Sequence, residues 1–199
     1  MKALIKNVIK DTIPVFAGYL ILGSCTWCWC SLCLCKKIDQ ILKEIKMGLA
    51  EVKKYFEDNG ITNEIILLDK NTATVELAAA ALGRQPGEIA KTLSFVLKDG
   101  SPILVVVMGT ARIDNHKYKD RFGCKASMIP FDDVPKLIGH AVGGVCPFGV
   151  KEGVQIFLDE SLKQFETVFP AAGTDNSAVP FTISELEAAT KGTWVDVCK

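Results

Sequence analysis

Hydrophobic and polar positions fall into three regimes along the chain. From Thr12 to Cys35 there are 24 consecutive residues without a charge, bounded by Lys2, Lys6 and Lys10 before and Lys36 and Lys37 after. As a helix this run would be about 36 Å long, enough to cross a hydrocarbon core of about 30 Å. Next, "KKIDQILKEIKMGLAEVKKYFEDNG" repeats Ile38, Ile41, Leu42, Ile45, Leu49, Val52 and Phe56 at three- and four-residue spacing. That is one apolar stripe on a helix, stopped by Asn59-Gly60.

Beyond Gly60 the pattern breaks into short segments. "EIILLD" reads as a strand, "TATVELAAAALG" as a helix ended by Gly83, and "AKTLSFVLKDGSPILVVVM" as a hairpin turning at Asp99-Gly100. "IDNHKYKDRFG" and "PFDDVPKLIG" read as helices stopped by Gly123 and Gly139. "VQIFLD", "FETVFP" and "AVPFT" follow as strands, then a helix over "ISELEAAT" beginning near Thr182 or Ser184, and a closing strand "TWVDVC". The mixture predicts an α/β chain of the α+β type: a mixed, largely antiparallel sheet or partly closed barrel with packed helices, behind an N-terminal hydrophobic helix. Two parts are expected, residues 1–46 as hydrophobic segment and connecting helix, and residues 47–199 as the folded domain.

Charge and cysteine usage narrow the picture. Residues 1–46 hold seven of the 23 basic and three of the 23 acidic residues, leaving 16 and 20 in the rest. A mildly acidic body does not grip nucleic acid along a broad basic face, so a nucleic-acid partner would be touched locally. The best local basic patch is "RIDNHKYKDRFGCK", although such a stretch is more often a solvated helix face. Five of the eight cysteines crowd into "CTWCWCSLCLC", too dense for paired zinc knuckles, while Cys124, Cys146 and Cys198 are scattered. The run reads as a membrane-inserted segment, or as an appendage with Met47 as an alternative start; metal or redox chemistry is the third reading. Lysines flanking it lean, by one charge, toward a cytoplasmic C-terminal domain.

Two stretches carry candidate chemistry. In "KTLSFVLK" alternation puts Lys91, Leu93, Phe95 and Leu97 on one face and Thr92, Ser94, Val96 and Lys98 on the other. An ammonium among apolar side chains either reaches water at the strand's end or finds an anionic ligand. "GHAVGGVCPFG" has four glycines and a proline and can bring main-chain N–H groups close to a ligand, although such loops are more often plain turns. Within it His140 is a candidate pocket residue, a lone histidine being more often structural. Cys146 as a nucleophile would have only His140 nearby in sequence as its base. No Ser-His-Asp set, paired-histidine metal motif or phosphate-binding Walker loop is present, so neither metal nor cofactor is expected.

In order and spacing, "TATVELAAAALG", "IAKTLSFVLKDG", "VVVMGTARID", "IGHAVGGVCPFG" and "VFPAAGTDNSAV" resemble the YbaK and prolyl-tRNA-synthetase-associated editing domain family over about residues 48–199. The resemblance implies a trans-editing aminoacyl-tRNA deacylase, which removes a wrongly attached amino acid from tRNA without a protein nucleophile, through water assisted by the substrate's own ribose hydroxyl or thiol. It implies that Lys91 is the essential lysine and Thr92 its neighbour in the pocket. Gly143, Gly144, Val145, Cys146 and Pro147 match the family's GxxxP loop around the aminoacylated adenosine, and Gly173 a further pocket segment. Cys146 becomes a loop residue on this reading. Implied partners are the tRNA acceptor end and an aminoacyl-tRNA synthetase, with membrane contact through residues 12–35 as an addition. Ala171 and Ala172 stand where some relatives carry polar residues, so the amino acid removed is not inherited. The competing reading is a non-catalytic aminoacyl- or nucleotide-binding module of the same fold.

Overall fold

The sheet grows from one hairpin. In the computed structural model, which describes residues 48–68, 72 and 74–199, β2 (Ile89–Val96) and β3 (Pro102–Met108) pair antiparallel, Lys91 opposite Val107 and Phe95 opposite Ile103. Gly100, at φ 87°, supplies the turn in a conformation that glycine adopts freely. Ile103 to Val107 are all fully buried, the continuous apolar run expected of a strand covered on both faces. Each such side chain contributes about 1.5–3 kcal/mol by leaving water.

Around the hairpin stand β4 (Gln155–Asp159), β5 (Thr167–Pro170), β7 (Phe181–Thr182) and β8 (Thr193–Val195), in the order β7-β5-β2-β3-β4-β8. β5 runs parallel to β2, β4 to β3 and β8 to β4; only β2–β3 and β5–β7 are antiparallel. The mixed sheet is as expected, but the six-stranded sheet is not largely antiparallel, since three of its strand pairs are parallel and two antiparallel. The reason lies in the connections. Residues 109–154 separate β3 from β4, and a crossover of that length returns a strand in either direction, which side-chain alternation cannot register. "AVPFT" also divides: β6 (Ser177–Ala178) leaves the main sheet to pair with β1 (Ile66–Leu67).

The helices start and stop on recognisable chemistry. Residues 48–59 form α1, which turns Val52 and Phe56 into the core, and Tyr55 Oη donates to the Ala189 carbonyl at 2.7 Å. In α2 (Val75–Leu82) the Thr74 hydroxyl caps the first turn and Gly83, at φ 64°, closes the last. Asp114 caps α3 (Asn115–Phe122), α4 (Val134–Leu137) follows a 3₁₀ turn, and a reciprocal Thr182–Glu185 capping box starts α5 (Ile183–Thr190). No helix among the described residues is long and apolar enough to cross a membrane; the run 12–35 and its cysteines lie outside those residues.

Candidate active site

The most informative feature of the sheet is where it is left open. β5 pairs with β2 only at Ile89 and Ala90, while farther along the same edge Ile129 N–H donates to the Ser94 carbonyl and Val96 N–H to that of Ser127. Main-chain groups of Ser94 and Val96 therefore point out of the hairpin, and by the same parity so do those of Thr92. Between β5 and the 127–129 segment, Thr92 presents its N–H and C=O to a gap. A cavity of about 260 Å³ lies there, lined by Lys91, Thr92 and Ser94 from β2 and by Thr174 and Ser177 from the segment after β5. Val142, Gly143 and Val145 of the glycine-rich loop complete that wall, and Met128, Ile129 and Phe131 the opposite rim.

Lys91 is among the lining residues, but its head is tied to main chain that is not. Its Nζ donates to the carbonyls of Gly109, at 3.2 Å, and Ala111, at 3.1 Å, on the turn after β3. Burial lowers the ammonium's pKa from its ordinary value, Cys198 and Glu76 oppose that shift, and Arg112 adds to it. An ammonium has three protons, so two carbonyls leave one donor for a ligand. Alternation along β2 holds as expected: Leu93 and Phe95 pack into the cluster around Val105, Val107 and Ala111, whose carbonyl also holds the Lys91 ammonium, while Thr92 and Ser94 take the cavity side.

The glycine-rich loop has two sides. Gly143, exposed and at φ 94°, faces the cavity together with Val142 and Val145. His140, Gly144, Cys146 and Pro147 are buried and do not line it. Cys146 Sγ is fully buried in the cluster of Val52, Phe56 and Phe148, donates to the Phe148 carbonyl at 3.5 Å, and has its pKa pushed up to about 12 by burial. His140 Nδ1 accepts the Cys146 N–H at 3.4 Å, and burial lowers this histidine's pKa to about 4, so the imidazole is neutral at pH 7. A protonated, inaccessible thiol beside a neutral histidine is packing, not an activated nucleophile.

What fixes the loop is a stack of three glycines. A Cβ on Gly144 would stand 2.7 Å from the main chain of Gly173 and Thr174, and one on Gly173, at φ 87°, would meet the Gly48 carbonyl at the start of α1. Gly173 is thus buried behind the wall, holding three backbones in close approach. Ser177 Oγ pins the same turn by accepting the N–H groups of Ala172 and Thr174 and donating to the Thr174 carbonyl. Thr174 and the rim residues Met128 and Phe131 were not identified from the sequence. Thr174 follows directly on a glycine already singled out; nothing in the pattern marked the rim, because exposure of an apolar side chain has no periodic signature.

A profile of the aminoacyl-tRNA editing domain family matches residues 69–189. The uncharacterized protein YwhH of Bacillus subtilis is 43% identical over 154 residues, covering 77% of this chain and 98% of its own. A protein of Enterococcus faecalis, provisionally named a Cys-tRNA(Pro)/Cys-tRNA(Cys) deacylase, is 26% identical over 125 residues, with 62% and 76% covered. Among solved structures, one provisionally titled as a trans-editing enzyme for prolyl tRNA synthetase superposes with a TM-score of 0.71 at 31% identity, over 76% of this chain and 97% of that one.

Proposed function

This chain belongs to the aminoacyl-tRNA editing domain family, and from that premise we propose that it is a deacylase acting in trans on mischarged tRNA. The observation that carries the reading is the convergence of Lys91, Thr92, Val142, Gly143 and Val145 on one cavity. Its substrate is the ester between a wrong amino acid and the terminal ribose, presented by the acceptor end of a tRNA that a synthetase has misacylated.

Hydrolysis here needs placement more than a nucleophile. A water assisted by the substrate's own ribose hydroxyl, or a thiol of the acyl group, attacks the ester carbonyl. The C=O electrons move onto oxygen, and main-chain N–H groups at Thr92 and the Gly143 bend hold the developing oxyanion. Collapse of the intermediate breaks the bond to the ribose oxygen, which takes up the proton lost by the attacking group; water releases the free amino acid and tRNA, and an acyl-group thiol releases a cyclic thioester and tRNA. Lys91, its ammonium tied to the turn after β3, adds positive charge beside the cavity. Val142, Val145 and Ala171 bound the space for the acyl side chain, so selection is by size, as in a sieve that admits only what fits.

One observation favours a second reading. Because Lys91 already serves two carbonyls, it could be a structural tie in a pocket that binds an aminoacyl-nucleotide without cleaving it. The full-length chain incubated with a panel of mischarged tRNAs separates the two readings. Release of amino acid from at least one, lost in Lys91→Ala, supports the deacylase. Binding of a non-hydrolysable aminoacyl-adenosine with no turnover on any tRNA would leave the binding module.

A further inference from the structure

The rim of the cavity has a feature that hydrolysis of an ester does not require. Phe131 is 72% and Met128 60% exposed, and both line the cavity. Single exposed apolar residues are ordinary on protein surfaces. Leu67, Leu77 and Leu137 are also exposed in this chain, but none of them lines the cavity. Phe131 and Met128 instead are both exposed and both line it, on a backbone held by hydrogen bonds. Met128 bridges Phe95 in the segment bonded to β2, and Pro130 accepts N–H bonds from Asp133 and Val134 to start the 3₁₀ turn that carries Phe131.

Size tells what must lie outside. Pockets that enclose a drug-sized ligand measure about 300–1,000 Å³. A cavity of about 260 Å³ falls below that range and takes an acyl group and part of a ribose, not the base as well. On the deacylase reading above, the base of the terminal nucleotide must emerge at the mouth. A rigid aromatic ring, flat and unpartnered, is the surface on which a base stacks.

Resting on that reading, we infer that Phe131, flanked by Met128, is the stacking platform for the terminal adenine of the acceptor end. It is a binding residue, adding affinity for the base without touching the reacting atoms. Stacking on one base changes affinity about 5- to 150-fold when the ring is removed.

The test uses the full chain and three probes: mischarged tRNA, a non-hydrolysable 3′-aminoacylamino-adenosine, and a base-free ribose ester of the same amino acid. Phe131→Ala is expected to raise KM for the tRNA and Kd for the adenosine analogue at least fivefold. It leaves kcat and hydrolysis of the base-free ester near wild type, and Phe131→Tyr keeps wild-type values. Equal losses on the base-free ester would make Phe131 a wall of the acyl pocket and overturn the platform. So would unchanged analogue binding combined with a defect seen only when a synthetase is present, which would mark a protein-docking residue. If wild type cleaves no ester yet binds the analogue, and Phe131→Ala weakens that binding, the deacylase reading fails and the platform stands. No analogue binding by wild type overturns both.

Discussion

The two sides of the glycine-rich loop share a sequence and differ in everything else. Its front, Val142, Gly143 and Val145, lines a solvent-reaching cavity, while its back, His140, Gly144 and Cys146, is sealed against α1 and the segment after β5. The reactive-looking side chains are at the back, where burial has pushed the thiol up to about 12 and the imidazole down to about 4. The front offers main chain and small apolar groups. On the proposed reading, chemistry in this site belongs to what the loop leaves bare, and the titratable groups behind it pack against the core.

Front-side changes should remove activity with little loss of fold, and back-side changes the reverse. The largest effect falls on the front's partner. Lys91→Ala is expected to lower deacylation by about 10²–10³, the range for losing one preorganised electrostatic group. Thermal unfolding of the same variant measures the structural share, since the carbonyls of Gly109 and Ala111 lose a donor. A fall in Tm that wholly accounts for the lost activity would make Lys91 a tie and blur the division.

At the back, Gly173→Ala combines a φ of 87° with a Cβ pressed on the Gly48 carbonyl. A destabilisation of about 3 kcal/mol is expected from strain and overpacking together, read as a shift in the urea midpoint. Gly143→Ala has φ 94° but only Asp175 Cβ at 3.4 Å, so it should cost about 1–2 kcal/mol. Comparable losses for the two would mean that the three-glycine contact is slack.

The pH dependence follows from His140. Its folded pKa, about 4, lies below the ordinary 6.5, so the unfolded chain binds the proton more readily. Stability from this group is fully present above pH 6.5 and is lost as pH falls toward 4, by about 1–3 kcal/mol in all. His140→Gln should flatten that slope in urea titrations between pH 7 and 4. A slope unchanged by the substitution would place the acid sensitivity elsewhere.

The sequence made the elements legible where one residue type settles the matter. Gly83, Gly100 and Gly123 ended or turned the segments they were expected to, and alternation placed Lys91 and Thr92 on opposite faces of β2. Strand direction across residues 109–154 was not legible, because alternation has no sign. Nor was the facing of the loop. Gly143 and Gly144 are neighbours of one type, and only the tertiary contact with Gly173 decides which is exposed. The open edge at Thr92 could not be read either, since it depends on where β5 happens to stop.

The smallest effect is also the sharpest on the thiol. Cys146 is the residue that chemistry by residue type would choose as nucleophile, and Cys146→Ala removes its sulfur altogether. If the back of the loop is packing alone, the variant loses one buried contact in the cluster of Val52, Phe56 and Phe148 and the bond to the Phe148 carbonyl. That costs about 1–2 kcal/mol, and kcat on mischarged tRNA stays within about twofold of wild type. Were an acyl-thioester formed, removing the sulfur would stop turnover at any stability. Retained kcat with a lowered Tm thus assigns the sulfur to the wall's support, and a dead but fully folded variant would move the chemistry from the front of the loop to its back.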